Sequence, residues 1–443
     1  MAIGPSMRIR SVIVRIGLLL FGILVVLYRT RIDVWPSNSN SQSGFSHFLA
    51  SKPYAHSELC DGLFGHGYLD GLKSTADDHC VGGSTSKIIC YKTRIALDGL
   101  RDDVFCIVEP AVIDAQATRI SVDCLLKDEN FKARLPRYMY ATSIADGFDL
   151  MHVNRQQSAP SVEGCRNKGE TLVLIRREGA SHTWDCLLEI FSYFLTIRFM
   201  QSEGLLAADS DLQVVFLDEH PNGPYAHLWA IFSREPPIRK ADLWRNGNIC
   251  VARIILPLPG GSNPLFQGDW TRFNCKESSL VQDFRETTIQ YHVSQADPIE
   301  RLGEGIVLTA IKRNQTRRLV DHRAVIQRLS LMDANVHVQE VDLAAMDFGT
   351  QIQVMQGTNV LVGVHGAGLT HILYLPPGAV VVEIMPSSVQ YEGFRNLARL
   401  RGLGYLRVHG DIVPEGEDWH SADIRLSKDS LEDVVEAAIY LAT

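Results

Sequence analysis

Three groups of residues in this 443-residue chain have the types and spacing to bind or transform a ligand. The first is His365-Gly366-Ala367-Gly368, which directly follows the valine-rich run 360–364 and leads into Leu369. A glycine-rich turn at a strand tip lets backbone N–H groups approach a ligand, and a helix opening there adds partial positive charge, so the turn suits a phosphate. Many sharp strand-to-helix turns carry Gly-x-Gly and bind nothing, so the glycines need support from elsewhere. Glu383 sits near the carboxyl end of a second apolar run, 379–384. A carboxylate there must be hydrogen-bonded, either to a ligand such as a ribose diol or in a salt bridge with a neighbouring arginine.

The second group is the run Lys312-Arg313-Asn314-Gln315-Thr316-Arg317-Arg318 at the end of another predicted strand. The forked donors of Arg313, Arg317 and Arg318 match phosphate oxygens, although a loop with four cations can also be a solvated surface. Asn314-Gln315-Thr316 is the one unblocked glycosylation sequon, expected to be empty because a glycan would crowd a phosphate there.

The third group lies on a helix predicted from Ser181 to about Met200. At a spacing of about 3.6 residues, His182, Asp185, Glu189, Ser192, Tyr193 and Thr196 share one arc. Trp184, Leu187, Leu188, Phe191, Phe194 and Leu195 face the other way. The polar arc is either a solvated face or a cleft wall presenting His182, Asp185 and Glu189 as candidate general bases. Asp218-Glu219-His220, after a strand at 213–217, could hold a metal, but adjacent acids at a strand tip more often cap a loop.

These residues need strands and helices to position them. Strands are predicted at 171–175 and 213–217, then at 306–311, 336–341, 360–364, 379–384 and 405–408. Helices are predicted at 319–331, 348–357, 369–375, 391–401 and 431–441, the third stopped by Pro376-Pro377-Gly378. Strand-helix alternation of this kind implies an α/β fold with a parallel, doubly wound sheet. Residues 45–169 read as irregular and partly β.

The segment VLVGVHGAGLTHILYLPPGAVVVEI, residues 360–384, resembles the signature of glycosyltransferase family 61, and a weaker likeness extends over most of the chain beyond Thr171. The resemblance implies a GT-B-type enzyme with two Rossmann-like domains, the acceptor on the N-terminal one and a UDP-sugar donor on the C-terminal one. It implies inverting transfer of xylose or N-acetylglucosamine to a hydroxyl of a glycan or glycoprotein, with no cofactor or metal. On this reading His182, Asp185 or Glu189 is the base. Arg313, Arg317 and Arg318, with Gly366, Ala367, Gly368 and Leu369, hold the diphosphate, His365 touches phosphate or sugar, and Glu383 binds the ribose. The family often has an asparagine shortly before the histidine, whereas Glu178-Gly179-Ala180-Ser181 precedes His182 here. A nucleotide-dependent oxidoreductase is disfavoured because residues 369–373 supply no third glycine for Gly-x-Gly-x-x-Gly. A non-catalytic sugar- or nucleotide-binding protein of the same fold is the alternative.

A hydrophobic content of 46% with 21% charge is that of a globular protein, and a net charge of −8 argues against a nucleic-acid partner. The apolar stretch 12–28, interrupted by Arg15, is read as a type II signal-anchor rather than a cleaved signal. The expected organisation is a cytoplasmic tail at 1–10, a membrane helix at 11–28, a stem at 29–50, an acceptor-side domain at 51–250 and a nucleotide-sugar domain at 251–443. The catalytic part would then lie in the lumen of the Golgi or endoplasmic reticulum. All nine cysteines follow the apolar stretch, with no Cys-x-x-Cys pair, so disulfides are expected and the odd count leaves at least one thiol outside them.

Overall fold

The computed structural model describes residues 33–34, 58–95, 101–138, 142–153, 170–233, 235–245, 247–293, 305–414, 416–426 and 428–442. The expected anchor at 11–28 and stem at 29–50 lie outside the described residues, apart from Asp33–Val34. No helix among the described residues is long and apolar enough to cross a membrane. The described residues fall into two compact units, one within 52–295 and the other within 296–443 together with Asp33–Val34. The junction expected at 250/251 therefore falls inside the first unit, because a strand immediately after it is built into the middle of that unit's sheet.

In the first unit, β1 (Lys87–Ile95) and β2 (Arg101–Glu109) form an antiparallel hairpin within a span expected to be irregular. Then come β3 (Thr171–Ile175), helix α1 (Thr183–Ser202), β4 (Leu212–Phe216) and β5 (Arg253–Leu256). The sheet runs β4-β3-β5-β2-β1, extended at its two edges by Ile238–Arg239 and Asp77–Asp78. It is parallel through β4, β3 and β5 and turns antiparallel at β2. The parallel half carries the predicted strand-helix-strand unit, and the hairpin half is stapled by disulfides Cys80–Cys124 and Cys90–Cys106. Cys60–Cys275 ties the helix Glu58–Phe64 to a loop distant in sequence, and Cys250 is also disulfide-bonded.

Helix α1 departs from the amphipathic reading. Glu189, Ser192, Tyr193 and Thr196 on its polar arc are buried along with the apolar residues. Part of the arc is met by a polar loop: Ser192 Oγ donates to the Pro259 carbonyl at 2.8 Å, the Asn263 amide donates to Ser192 Oγ at 3.0 Å, and Leu258 N–H donates to Thr196 Oγ1 at 3.1 Å. A Cβ on Gly260 would lie 2.6 Å from Glu189 Cγ, so only glycine lets the loop approach the helix this closely. Cys186, the odd thiol, is buried on the same helix. Burial, with Glu189 and Asp185 nearby, pushes it up to about 12. It should stay unmodified by a thiol reagent in the native protein at neutral pH and react only on unfolding, as a thiolate count before and after denaturant would show.

The second unit contains β6 (Ile306–Ile311), α2 (His322–Leu329), β7 (Val336–Val341), α3 (Phe348–Gln356), β8 (Val360–Val364), β9 (Val380–Pro386), α4 (Gly393–Leu400), β10 (Gly404–Val413) and α5 (Lys428–Ala442). Its core sheet is wholly parallel in the order β7-β6-β8-β9-β10, with Asp33–Val34 added antiparallel to β10. Alternation along the strands divides the two faces. Val360, Val362, Val364, Val380, Val382 and Ile384 pack with residues of α2 and α5, and the residues between them turn to the opposite face. Because the chain order reverses between β6 and β8, their carboxyl ends form the topological switch point where ligands of doubly wound sheets bind.

Candidate functional site

The switch point of the second unit is where the basic run and the glycine turn meet. The turn leads into a 3-10 helix, Ala367–Tyr374, tighter than the α-helix expected from Leu369. Arg401 holds its end by donating to the carbonyls of Leu373 and Leu375, and His371 Nδ1–H donates to the Gly368 carbonyl at 3.0 Å. Gly366 has φ +148, and a Cβ there would fall 2.4 Å from Arg313 Nη1 and 3.2 Å from Arg317 Nη2. Glycine is therefore required both by the backbone and by two guanidinium groups lying against the turn.

Those guanidiniums are unusual in what they lack. Arg313 Nε donates to the Thr316 carbonyl at 2.9 Å, Arg317 Nε is buried without a hydrogen-bond partner, and neither has a carboxylate among the described residues. Burial and the neighbouring Arg317 push Arg313 down to about 10, and burial also lowers Arg317. Arg317, at φ +54, instead faces the ring of Trp419 at 5.5 Å, an attraction that leaves its N–H donors open. Two partly buried cations without counterions among the described residues, beside a backbone stripped of side chains, make an anion site.

Arg318 does not join them. It turns away to form a two-pronged pair with Asp423 at 2.7 and 3.1 Å and is itself exposed, because the left-handed backbone at Arg317 sends neighbouring side chains apart. Glu383 is also reassigned. It is fully buried, Oε1 accepts from His365 Nδ1 at 2.7 Å, and Oε2 accepts from the Tyr405 hydroxyl. Arg407 stands beside it in register and donates to Tyr405 at 2.8 Å, to the Tyr391 carbonyl at 2.6 Å and to Glu392 at 3.3 Å. The fold gives Glu383 the neighbouring arginine of the salt-bridge alternative, with Arg407 Nη2 3.7 Å from Oε2, and buries the carboxylate completely. Burial alone would raise Glu383, but the hydrogen bond and charge of His365 together with Arg407 hold it below the ordinary value. Burial likewise opposes the charge on Arg407, yet Tyr405, Glu383 and Glu392 hold it above the usual arginine range. Glu383 therefore fixes the orientation of His365, whose ring packs among Tyr391, Phe394 and Trp419. Ala367 and Leu369 sit in the 3-10 helix, Leu369 fully buried.

In the first unit the carboxyl ends of β3 and β4 are clamped together. Arg177 is buried, pairs with Asp218 at 2.7 and 3.2 Å, donates to the His220 carbonyl at 2.8 Å and stacks on Phe216 at 3.9 Å. Burial raises Asp218, but its bonds with Arg177 bring it below the usual range, so the Asp218-Glu219-His220 turn is organised by arginine. No group of three or more metal-ligating side chains occurs among the described residues. His182 caps the start of α1, half exposed, with Nδ1 2.9 Å from Asp185 Oδ2. Glu189, one turn on, points inward instead: it is 4% exposed and accepts the backbone N–H of Glu178. The structure thus brings His182 and Asp185 together and withdraws Glu189 from solvent. Tyr405, Arg407, Trp419 and Glu178 escaped the sequence reading. The first two are signalled only by their i, i+2 spacing on a strand, which acquires meaning once β10 is placed beside β9.

The profile of the Glycosyltransferase 61 family matches residues 150–382. The chain is 28% identical over 229 residues to protein O-linked-mannose beta-1,4-N-acetylglucosaminyltransferase 2 of Tetraodon nigroviridis, covering 49% of this chain and 39% of that protein. It is 27% identical over 237 residues to EGF domain-specific O-linked N-acetylglucosamine transferase of Drosophila melanogaster, covering 52% and 44%, and 30% identical over 219 residues to the Gallus gallus protein of that name, covering 48% and 40%. The chain spans about two fifths of the length of these relatives.

Proposed function

Because this chain belongs to the Glycosyltransferase 61 family, we propose that it transfers a sugar from a UDP-sugar to a hydroxyl of a glycan or glycoprotein. The observation that carries this reading is the pair Arg313 and Arg317, desolvated and without counterions against the Gly366 turn. A pyrophosphate supplies the missing negative charge and has the oxygens to accept the open donors. Backbone N–H groups of the turn beyond Gly366 add to the cradle, and His365, held by Glu383, contacts phosphate or sugar.

On this reading the two units are the Rossmann-like halves of a GT-B-type enzyme, with the donor on the second and the acceptor on the first. The acceptor hydroxyl loses its proton to a base of the first unit and attacks the anomeric carbon from the face opposite the departing UDP, inverting that centre. Arg313 and Arg317 stabilise the charge growing on the leaving diphosphate, the task a divalent cation performs in other transferases. UDP-xylose and UDP-N-acetylglucosamine are the leading donors. The setting is the lumen of the Golgi or endoplasmic reticulum, with residues 11–28 as anchor, consistent with the disulfides of the first unit.

The test is a panel of UDP-sugars offered to the purified protein, with binding and sugar release measured with and without EDTA. One donor should bind and be turned over, and chelation should leave the rate unchanged. Absence of binding to UDP and to every UDP-sugar sinks the reading. Binding without turnover, even with acceptors supplied, instead favours a lectin-like role.

A further inference from the structure

Beside the Arg177–Asp218 clamp, at the carboxyl edge of the first unit's parallel strands, lies a cleft of about 470 Å³. Its lining includes Glu178, Thr142, Arg176, Lys240 and His220. Glu178 directly follows β3 and Arg176-Arg177, in the position where doubly wound sheets present ligand-contacting side chains. It is half-buried. Its Oε1 accepts from the Thr142 hydroxyl, whereas Oε2 is buried and lacks a hydrogen-bond partner. Directly behind it stands Glu189, whose Oε1 accepts the Glu178 backbone N–H and whose Oε2 is likewise buried and unsatisfied. A buried carboxylate oxygen without a donor is costly, and a fold that keeps one on Glu178, in the wall of a cleft and backed by a second buried carboxyl, is holding acceptor capacity in reserve for a hydroxyl.

We infer that Glu178 is the general base of the transfer, with Glu189 the buried group that anchors the Glu178 backbone. This assignment rests on the glycosyl-transfer reading above and names the base that reading requires. The acceptor O–H enters from the cleft and donates to the Glu178 carboxylate, whose side chain turns to present it. As the acceptor oxygen bonds to the anomeric carbon, the bond from that carbon to the diphosphate oxygen breaks, UDP leaves with the electron pair, and the proton stays on Glu178. Burial pushes Glu178 up to about 7, close to where a base combines adequate strength with adequate ionisation. Thr142 opposes that rise, Asp185 and Asp146 add to it, and Arg176 lowers it. Glu189 is pushed well above the ordinary value by burial and by the charge of Glu178. Neither His182 nor Asp185 is needed as proton acceptor in this scheme, although both lie near the same helix start.

The experiment compares wild-type, Glu178→Gln, Glu178→Asp and His182→Asn proteins in two assays. UDP affinity by calorimetry reports on the donor site, and the pH dependence of kcat for the UDP-sugar found active reports on the base. Wild-type kcat should rise with pH through about 7 and level off above it, as Glu178 loses its proton. Glu178→Gln should bind UDP as wild type does yet lose on the order of 100-fold or more in kcat together with that rise, and Glu178→Asp should recover part of the rate. The assignment is overturned if Glu178→Gln keeps the wild-type rate and profile, or if the rise survives in Glu178→Gln and vanishes in His182→Asn. A wild-type protein that binds no UDP would instead overturn the transferase reading and leave the base question moot, so the two failures are distinguishable. Glu178→Gln preserves shape and the backbone bond to Glu189, and a thermal melt identifies any loss that comes from misfolding.

Discussion

Arg313→Ala is expected to weaken UDP binding by on the order of 30-fold, equivalent to about 2 kcal/mol, while leaving the unliganded protein as stable as before or more so. The two halves of this expectation have one cause. In the free protein the Arg313 guanidinium is desolvated, lies near a second cation at Arg317 and has no carboxylate to repay that cost. Removing it relieves Arg317 of a like charge, so the folded state loses only the bond to the Thr316 carbonyl. In the complex the same group gives charge-assisted bonds to phosphate, each stronger than a neutral hydrogen bond. Stability and function therefore move in opposite directions, as expected of a residue retained for a ligand. Calorimetric titration with UDP and a thermal melt measure the two effects. Arg318→Ala provides the contrast, since it removes an exposed pair with Asp423 and should change UDP affinity little. If Arg313→Ala leaves UDP affinity unaltered, or lowers stability as much as affinity, the anion site is not what the pair is for.

The second unit was largely legible because its central strands, 360–364 and 380–386, are buried on both faces, and even the edge strand 336–341 is bounded by buried valines. The runs 306–311, 336–341 and 360–364 stand where valine and isoleucine predicted them, and loop punctuation by Pro376-Pro377-Gly378 closes the 3-10 helix. What sequence did not reveal depended on contacts between residues far apart along the chain. Helix α1 looked amphipathic, but its polar residues meet the loop of Pro259 to Asn263, some 70 positions away, and are buried on it. Arg317 and Arg318 are adjacent and chemically identical, and only the left-handed backbone at Arg317 sends one to the glycine turn and the other to Asp423. Glu178 looked like an ordinary loop acid until the fold placed Glu189 behind it and Thr142 beside it. Periodicity reports which face is buried. It is silent on what lies opposite.

Glu383→Ala should cost about 3–5 kcal/mol of folding stability, the largest single loss expected in the second unit, because it takes a carboxylate partner from the buried Arg407 and strips two buried donors of their acceptor. Glu383 lies in the middle of a parallel strand with Arg407 beside it in register, and both are almost completely buried. Taking away the carboxylate removes one of the charges beside Arg407, while the Tyr405 hydroxyl and His365 Nδ1 each lose their acceptor. Glu383→Gln keeps an acceptor oxygen and the volume, so it should lose less stability, with the remaining deficit reporting on the charge. A paired change, Glu383→Leu with Arg407→Leu, should recover much of what Glu383→Ala loses, since no unpaired ion then remains and burying apolar groups there is favourable. Denaturant unfolding of the four proteins measures this series. UDP affinity separates it from the ribose reading: in Glu383→Gln, a fold that survives with freely rotating His365 should bind UDP somewhat more weakly, in proportion to a lost orientation. Should Glu383→Ala instead unfold like wild type and lose UDP selectively, the carboxylate would be contacting the nucleotide directly and the buried pair would be incidental to it.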